Sequence, residues 1–318
     1  MLLSEGNAGE CPGMQGTLEG SEVSADSLSN VMESTQSPRV AVMGDIMVDV
    51  DLYGRCDRLC QDGPWPVFSM EATRRRLGGA GNVAAMLLAL KCEVLLMGLV
   101  GRDDVAQIPA TTAMIGWRVV DGLTTTKTRL WCQGRLMGPR IDQDQSARST
   151  DDDIRYFLRS LEPFLPDMII IADHGKGVVI AKLMQRVGEL KIPVLVDPIH
   201  QTPLPLHPAA IAGGTHELGP DASAADVIIE KRGAAGLAWR TAGNPTEEVV
   251  LPSTCRSLVD PLGAGDQFIA SLAYQRCLGI DWPDAINWAN HAAGLQCEQP
   301  GCQPLNRRQI DHFIQQLK

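Results

Sequence analysis

A chain of 318 residues with 44% hydrophobic side chains has room for one large α/β domain or two small ones and can bury a sizeable core. Its formal net charge of −10 argues against nucleic acid or an anionic membrane as a partner. There is no apolar run of the about 18–20 residues a membrane span needs and no basic-then-apolar leader, and the nine cysteines are scattered with no CxxC pair, so a cytoplasmic protein with free thiols and no metal cluster is expected.

Residues 1–37 carry Glu5, Glu10, Glu19, Glu22, Asp26 and Glu33 without a Lys or Arg, and read as a disordered acidic tail. The remainder, 38–318, reads as one domain. Its first strand, Val40–Gly44, ends at Asp45 and Asp49, and in open parallel sheets ligands bind at that end. Residues 50–76 contain Pro64-Trp65-Pro66 and suit an edge or small flap rather than a central strand. Gly78-Gly79-Ala80-Gly81-Asn82 opens an apolar helix, Val83–Leu90, followed by a strand at Val94–Met97. Two strand-like runs, Thr126–Cys132 and Arg135–Asp144, flank Gln133-Gly134.

A helix is predicted over 151–161 and a strand over Met168–Ala172, which runs into Asp173-His174-Gly175-Lys176-Gly177. Further strands are predicted at Val194–Val196, Ala209–Ala212 and Val227–Glu230, the last leading into Lys231-Arg232-Gly233-Ala234-Ala235-Gly236. Helices at 284–297 and 306–317 close the chain. Alternating strands and helical patterns predict a mostly parallel sheet covered by helices on both faces.

The stretch Asp260-Pro261-Leu262-Gly263-Ala264-Gly265-Asp266 carries the clearest chemistry. Gly263 and Gly265 permit a tight bend that brings bare amides, with that of Ala264, to a helix N-terminus, where an anion is favoured. A carboxylate there is explained if Asp266 is a general base that deprotonates a hydroxyl attacking a phosphoryl group. The plainer alternative is a helix start with two turn glycines and an Asp in the first turn.

With the Gly78–Asn82 cluster upstream and this motif downstream, the chain from Val40 to Leu305 resembles the ribokinase-like (PfkB) carbohydrate kinases. The resemblance implies an α/β fold with a small β lid from about 50–76 and 126–144, ATP and Mg²⁺ as cofactors, a monovalent cation as a further option, and a homodimer formed through the lid. It assigns Asp45, Asp49, Gly78, Gly79 and Asn82 to the sugar, and Glu217 to the outer shell of Mg²⁺. Lys231, Gly233, Gly236, Asn290 and Gly301 fall to the nucleotide. The chain departs from the family pattern at Lys91, where a helix-ending Gly is usual, and at Gly214 and Lys231, where Asn and Thr are usual. The segment 199–225 is also short and lacks most of its expected helix.

In finer detail, Gly44–Asp49, Tyr53-Gly54, Pro64–Val67, Thr126–Arg129, Arg140–Asp142 and Asp173…Lys176-Gly177 resemble the D-glycero-β-D-manno-heptose-7-phosphate kinase branch. That branch makes the 1,7-bisphosphate for ADP-heptose and lipopolysaccharide. Lys127, Arg140 and Lys176 are cations of the kind that recognise phosphate, Lys176 being matched to the sugar phosphate and Asp142 to a hydroxyl, with Asp173 beside them. Two alternatives remain open: a kinase of the same fold acting on another sugar or a nucleoside, and a sugar-binding homologue with weakened catalysis.

Overall fold

The computed structural model describes residues 37–103, 113–144, 147–199 and 202–317. Apart from Ser37, the acidic tail expected over 1–37 lies outside the described residues. Fifteen strands occur among the described residues. In chain order they are β1 (Arg39–Gly44), β2 (Ile46–Leu59), β3 (Pro66–Gly79), β4 (Glu93–Met97), β5 (Leu99–Val100), β6 (Met114–Ile115), β7 (Arg118–Val119) and β8 (Thr126–Cys132). There follow β9 (Arg135–Gln143), β10 (Met168–Ala172), β11 (Val194–Asp197), β12 (Ala210–Gly214), β13 (Val227–Lys231), β14 (Leu237–Thr241) and β15 (Asn244–Leu251). Nine of them form one sheet in the order β15-β14-β13-β12-β11-β10-β1-β4-β6. From β13 to β6 every pair is parallel, and the β13–β14 and β14–β15 pairs are antiparallel.

Parallel strands buried on both faces read as continuous apolar runs, and side chains alternate between the faces. Val40 and Val42 of β1 point into one core with Leu195, Ala212 and Ile229, while Ala41 and Met43 point into the other with Ile169 and Val196. The helices α1 (Ala80–Ala89), α2 (Asp151–Phe164), α3 (Ala181–Gly188), α4 (Ala264–Cys277), α5 (Trp282–Cys297) and α6 (Arg307–Leu317) divide accordingly. α1, α4, α5 and α6 supply Val83, Leu272, Ile286 and Ile310 to the first core, and α2 and α3 supply Phe157 and Leu183 to the second.

Local chemistry fixes the helix boundaries. Thr150 and Asp153 form a reciprocal capping box at α2. The Asp281 carboxylate accepts from the Asp284 amide at the start of α5, 3.1 Å away. Lys91 follows α1 with φ 69°, the left-handed geometry that the missing glycine implies.

Two regions stand apart from the regular strand-and-helix alternation of the large sheet. The stretch 50–76 lies in β2, β3 and the turn between them, the strands being of 14 residues each. They pair along most of their length, and with β8 and β9 they build a separate four-stranded sheet in the order β3-β2-β8-β9. This smaller sheet occupies the residues expected to form the lid. Between β12 and β13 a short 3-10 turn, Pro220–Ala224, stands where a longer helix is usual.

Candidate active site

The C-terminal ends of β1, β10, β11, β12 and β13 all reach the same edge of the large sheet, since these strands are parallel. Asp45 lies immediately after β1. Its two carboxylate oxygens accept backbone N–H bonds from His174 at 2.8 Å, Lys176 at 2.9 Å and Val178 at 3.0 Å. A carboxylate has about four acceptor sites, so Asp45 chiefly fastens the loop after β10. Beside it, Asp173 accepts from the Gly175 amide at 2.9 Å and from the Thr202 hydroxyl at 2.7 Å. Burial, reinforced by the nearby Asp45 charge, moves the Asp173 carboxyl above its ordinary range.

Asp266 is in the first turn of α4, entered through Gly263 with φ 76°. A Cβ on Gly263 would fall on the Cys302 sulfur, so close packing as well as backbone geometry requires glycine here. The Asp266 carboxylate accepts from the Asn82 amide nitrogen at 2.5 Å, and the same amide exchanges hydrogen bonds with the Cys302 thiol at 2.9 and 3.2 Å. Burial raises the Asp266 pKa, and Asp197 adds to the effect, whereas His174, Asn82 and Lys231 oppose it. The carboxyl is half-buried and borders a cavity of about 210 Å³, which is also lined by Asp173, His174, Asp197, Glu217, Lys231 and Gly265.

A second, larger cavity of about 470 Å³ meets the first at Lys231 and Gly265. It is lined by Gly233, Gly236, Ala264, Asn290, Ala293 and Gly294, among others. Gly233 and Gly236 take φ of 57° and 91° in the bend between β13 and β14. Asn290 faces this cavity while donating to the Pro252 carbonyl at 2.9 Å. Gly301 lines neither cavity, and its amide donates to Asp260 at 3.0 Å. Lys231 forms an ion pair with Asp197 at 2.6 Å. Burial disfavours the Lys231 charge, but Asp197, Glu217 and Asp266 outweigh it, so its pKa lies above the ordinary lysine value.

On the smaller sheet, Asp49 accepts from Arg129 at 2.6 Å, and a Cβ on Gly78 would come within 2.7 Å of the Asp49 carboxylate. Arg140 grips Asp142 with two hydrogen bonds of 2.6 Å, which holds the Asp142 carboxyl below its usual range. Lys176 pairs with Asp144 at 2.8 Å. The Lys127 pKa is lowered, by burial first and then by the charges of Arg140 and Lys176. Three cations from β8, β9 and the loop after β10 therefore lie close enough to repel one another, an arrangement that a bound anion relieves.

The hard oxygen ligands that a divalent ion such as Mg²⁺ prefers are present. Glu217 and Asp197 both border the smaller cavity, and a Glu217 oxygen accepts from the Gly214 amide at 2.5 Å. Among the described residues no three His, Cys, Asp or Glu side chains form a closed metal cage. The donor set fits an ion that keeps water and phosphate oxygens as most of its shell.

Sequence reasoning left three participants unassigned. Asp197 was legible only as a strand end, and His174 only as part of a loop. Cys302 reaches Asn82 across 220 positions, a pairing no local pattern announces.

The fold and the two adjoining cavities define a ribokinase-like α/β protein. Arabidopsis thaliana ribokinase, solved with ribose and ATP, is 17% identical, with a TM-score of 0.63 over 88% of this chain and 99% of its own. Escherichia coli phosphofructokinase-2, solved with potassium, is 12% identical, with a TM-score of 0.71 over 89% and 99%. Residues 213–308 match the model of the pfkB family carbohydrate kinases. A bifunctional protein HldE from Caulobacter sp. (strain K31) is 32% identical over 85% of this chain and 61% of its own length. A D-beta-D-heptose 7-phosphate kinase from Bordetella bronchiseptica is 28% identical over 81% and 90%. The chain is similar to the pfkB carbohydrate kinases over residues 213–308 and to the named relatives over more than four fifths of its length. It spans about three fifths of the length of the bifunctional relatives. The cofactor class this family implies is ATP with a divalent cation.

Proposed function

We propose that the protein transfers the γ-phosphoryl group of ATP to the anomeric hydroxyl of D-glycero-β-D-manno-heptose 7-phosphate, giving the 1,7-bisphosphate and ADP. The product would serve as a precursor of ADP-heptose and lipopolysaccharide. The name of the Bordetella relative supports this substrate. The observation that carries the reading is Asp266, whose carboxyl borders a sugar-sized cavity that shares Gly265 and Lys231 with a nucleotide-sized one.

Asp266 takes the hydroxyl proton as the new O–P bond forms and the bond from the γ-phosphorus to the bridging oxygen breaks. The Gly263 and Gly265 amides lie at the start of α4, where they can meet charge on the transferring group, while the Ala264 amide between them donates to the Pro261 carbonyl at 3.3 Å. Asn82 and Asp142 orient the sugar with Asp49, Gly78 and Gly79, and Asp45 and Asp173 act through the loop they brace. Lys127, Arg140 and Lys176 receive the 7-phosphate. Gly233, Gly236 and Asn290 border the nucleotide, and Gly301 supports that wall through Asp260. Lys231 lies between the two cavities, near the phosphates. Glu217 would hold the water shell of Mg²⁺, which supplies charge neutralisation between phosphates, and a monovalent cation remains an additional activator in this proposal.

The small sheet acts as a lid. Its exposed Leu59, Trp65, Met70 and Ile141 support a homodimer through that surface. Eight described cysteines, all free, support a cytoplasmic setting.

The test is a coupled assay with ATP over heptose 7-phosphate, fructose 6-phosphate, ribose and adenosine. Preference for the heptose is expected, and preference for ribose or adenosine overturns the substrate. The Lys231–Asp197 pair motivates a second reading, a sugar-binding protein with lost catalysis. Calorimetry with an ATP analogue and Mg²⁺ decides it, since sugar binding without nucleotide binding favours the second reading.

A further inference from the structure

The loop after β10 presents one group to the smaller cavity that the scheme above does not use. His174 lines that cavity with Asp173, Asp197, Glu217, Lys231 and Asp266. Its backbone amide is pinned by Asp45, which fixes the loop that carries the ring. Its Nε2 is shielded from solvent and has no hydrogen-bond partner among the described residues. Buried polar nitrogens are rarely left in that condition, because desolvation is then uncompensated. An imidazole nitrogen can donate to or accept from a hydroxyl, according to its tautomer.

The ring's surroundings place it on the acceptor side. A Cβ on Gly79 would come within 3.1 Å of His174 Cδ2, and Gly79 joins the small sheet to α1. The residues that the smaller cavity shares with the nucleotide-sized one are Lys231 and Gly265, and His174 is not among the residues lining the larger cavity. Four carboxylates already face the smaller cavity, and a carboxylate can only accept. A hydroxyl-rich ligand there gains from a ring nitrogen that can also donate.

We infer that His174 is a substrate-contacting residue whose Nε2 hydrogen-bonds to an oxygen of the acceptor sugar beside the hydroxyl that Asp266 deprotonates. This inference rests on the sugar-kinase reading above. The competing account is that the ring merely fills space against Gly79, and three variants separate the two. His174→Phe keeps the ring and loses the nitrogen. His174→Ala loses both. His174→Gln returns an amide nitrogen near the Nε2 position.

All three are assayed beside the wild type over the four acceptors, with KM for sugar and ATP measured separately and folding followed by thermal melting. Phe and Ala are expected to raise the sugar KM about tenfold or more and to lower kcat. KM for ATP should stay within about twofold, and Gln should recover most of the loss. Wild-type kinetics in His174→Phe overturn the inference. So does an equal loss in all three variants with ATP affinity and melting temperature falling together. A wild type that phosphorylates none of the four acceptors overturns the sugar-kinase reading, and this inference with it. Active wild type with unaffected variants overturns the inference alone.

Discussion

The two cavities are built on different principles. The smaller one, about 210 Å³, is walled largely by Asp, Glu, Lys and His side chains. The larger one, about 470 Å³, is walled mostly by glycine, alanine and other small or apolar side chains. One surface is organised by charge and the other by shape. Low local dielectric strengthens every charge interaction in the first, whereas space in the second depends on the absence of side-chain atoms. Substitutions should accordingly affect chemistry in one and occupancy in the other.

The largest expected effect is at Asp266. Asp266→Asn should lower kcat by about 10²–10⁴, or about 3–5 kcal/mol of barrier, in a steady-state assay with saturating ATP and sugar. A variant with wild-type turnover would remove Asp266 from the base role. The same substitution should raise the melting temperature at neutral pH. Because the folded state holds this proton more tightly than the unfolded chain, stability is fully present below the unfolded pKa and is lost as pH rises through the folded one. The gain in the Asn variant should therefore shrink in acid, and the wild-type acid limb of kcat should lie above the ordinary Asp value of about 3.9.

Next in size is Gly263→Ala, which puts a methyl group on the Cys302 sulfur and a Cβ at φ 76°. A destabilisation of about 2 kcal/mol or more by denaturant titration is expected, together with reduced turnover. Stability equal to wild type would mean that the bend relaxes freely.

Removing charge from the cations proposed to receive the sugar phosphate tests the substrate. The double variant Lys176→Met, Arg140→Met should raise KM for a phosphosugar about 10–100-fold and leave a neutral sugar nearly unchanged. Equal effects on ribose and heptose 7-phosphate would make these groups structural. The smallest effect is predicted at Lys91, where φ is 69°. Lys91→Gly should stabilise by up to about 1 kcal/mol, read as a small rise in melting temperature with kinetics unchanged.

Strands β1, β4, β10, β11, β12 and β13 of the large sheet were legible because burial on both faces leaves unbroken apolar runs such as Met168–Ala172 and Val227–Ile229, whereas β6, β14 and β15, towards its two ends, were not. The small sheet was harder to read. The strands β2 and β3 carry Asp49, Asp51, Arg74, Arg75 and Arg76, so charge and two bulges obscure their 14-residue lengths. In the site, Asp266 and the glycines announced themselves through spacing along one segment. Asp197 with Lys231, and Cys302 with Asn82, are separated by 34 and 220 positions. Their association arises from parallel strand order and from the stretch after α5 lying against α1 and Gly263, neither of which leaves a mark at the residues themselves.

One join in the chain has a practical consequence. Strand β3 passes straight into α1 at Gly79 and Ala80, and Asn82, two residues further on, holds Asp266. Tilt of the four-stranded sheet and aim of the Asp266 carboxyl therefore share a pivot. Grafting a foreign flap to retune sugar preference would disturb turnover as well, unless the graft stops short of Leu77.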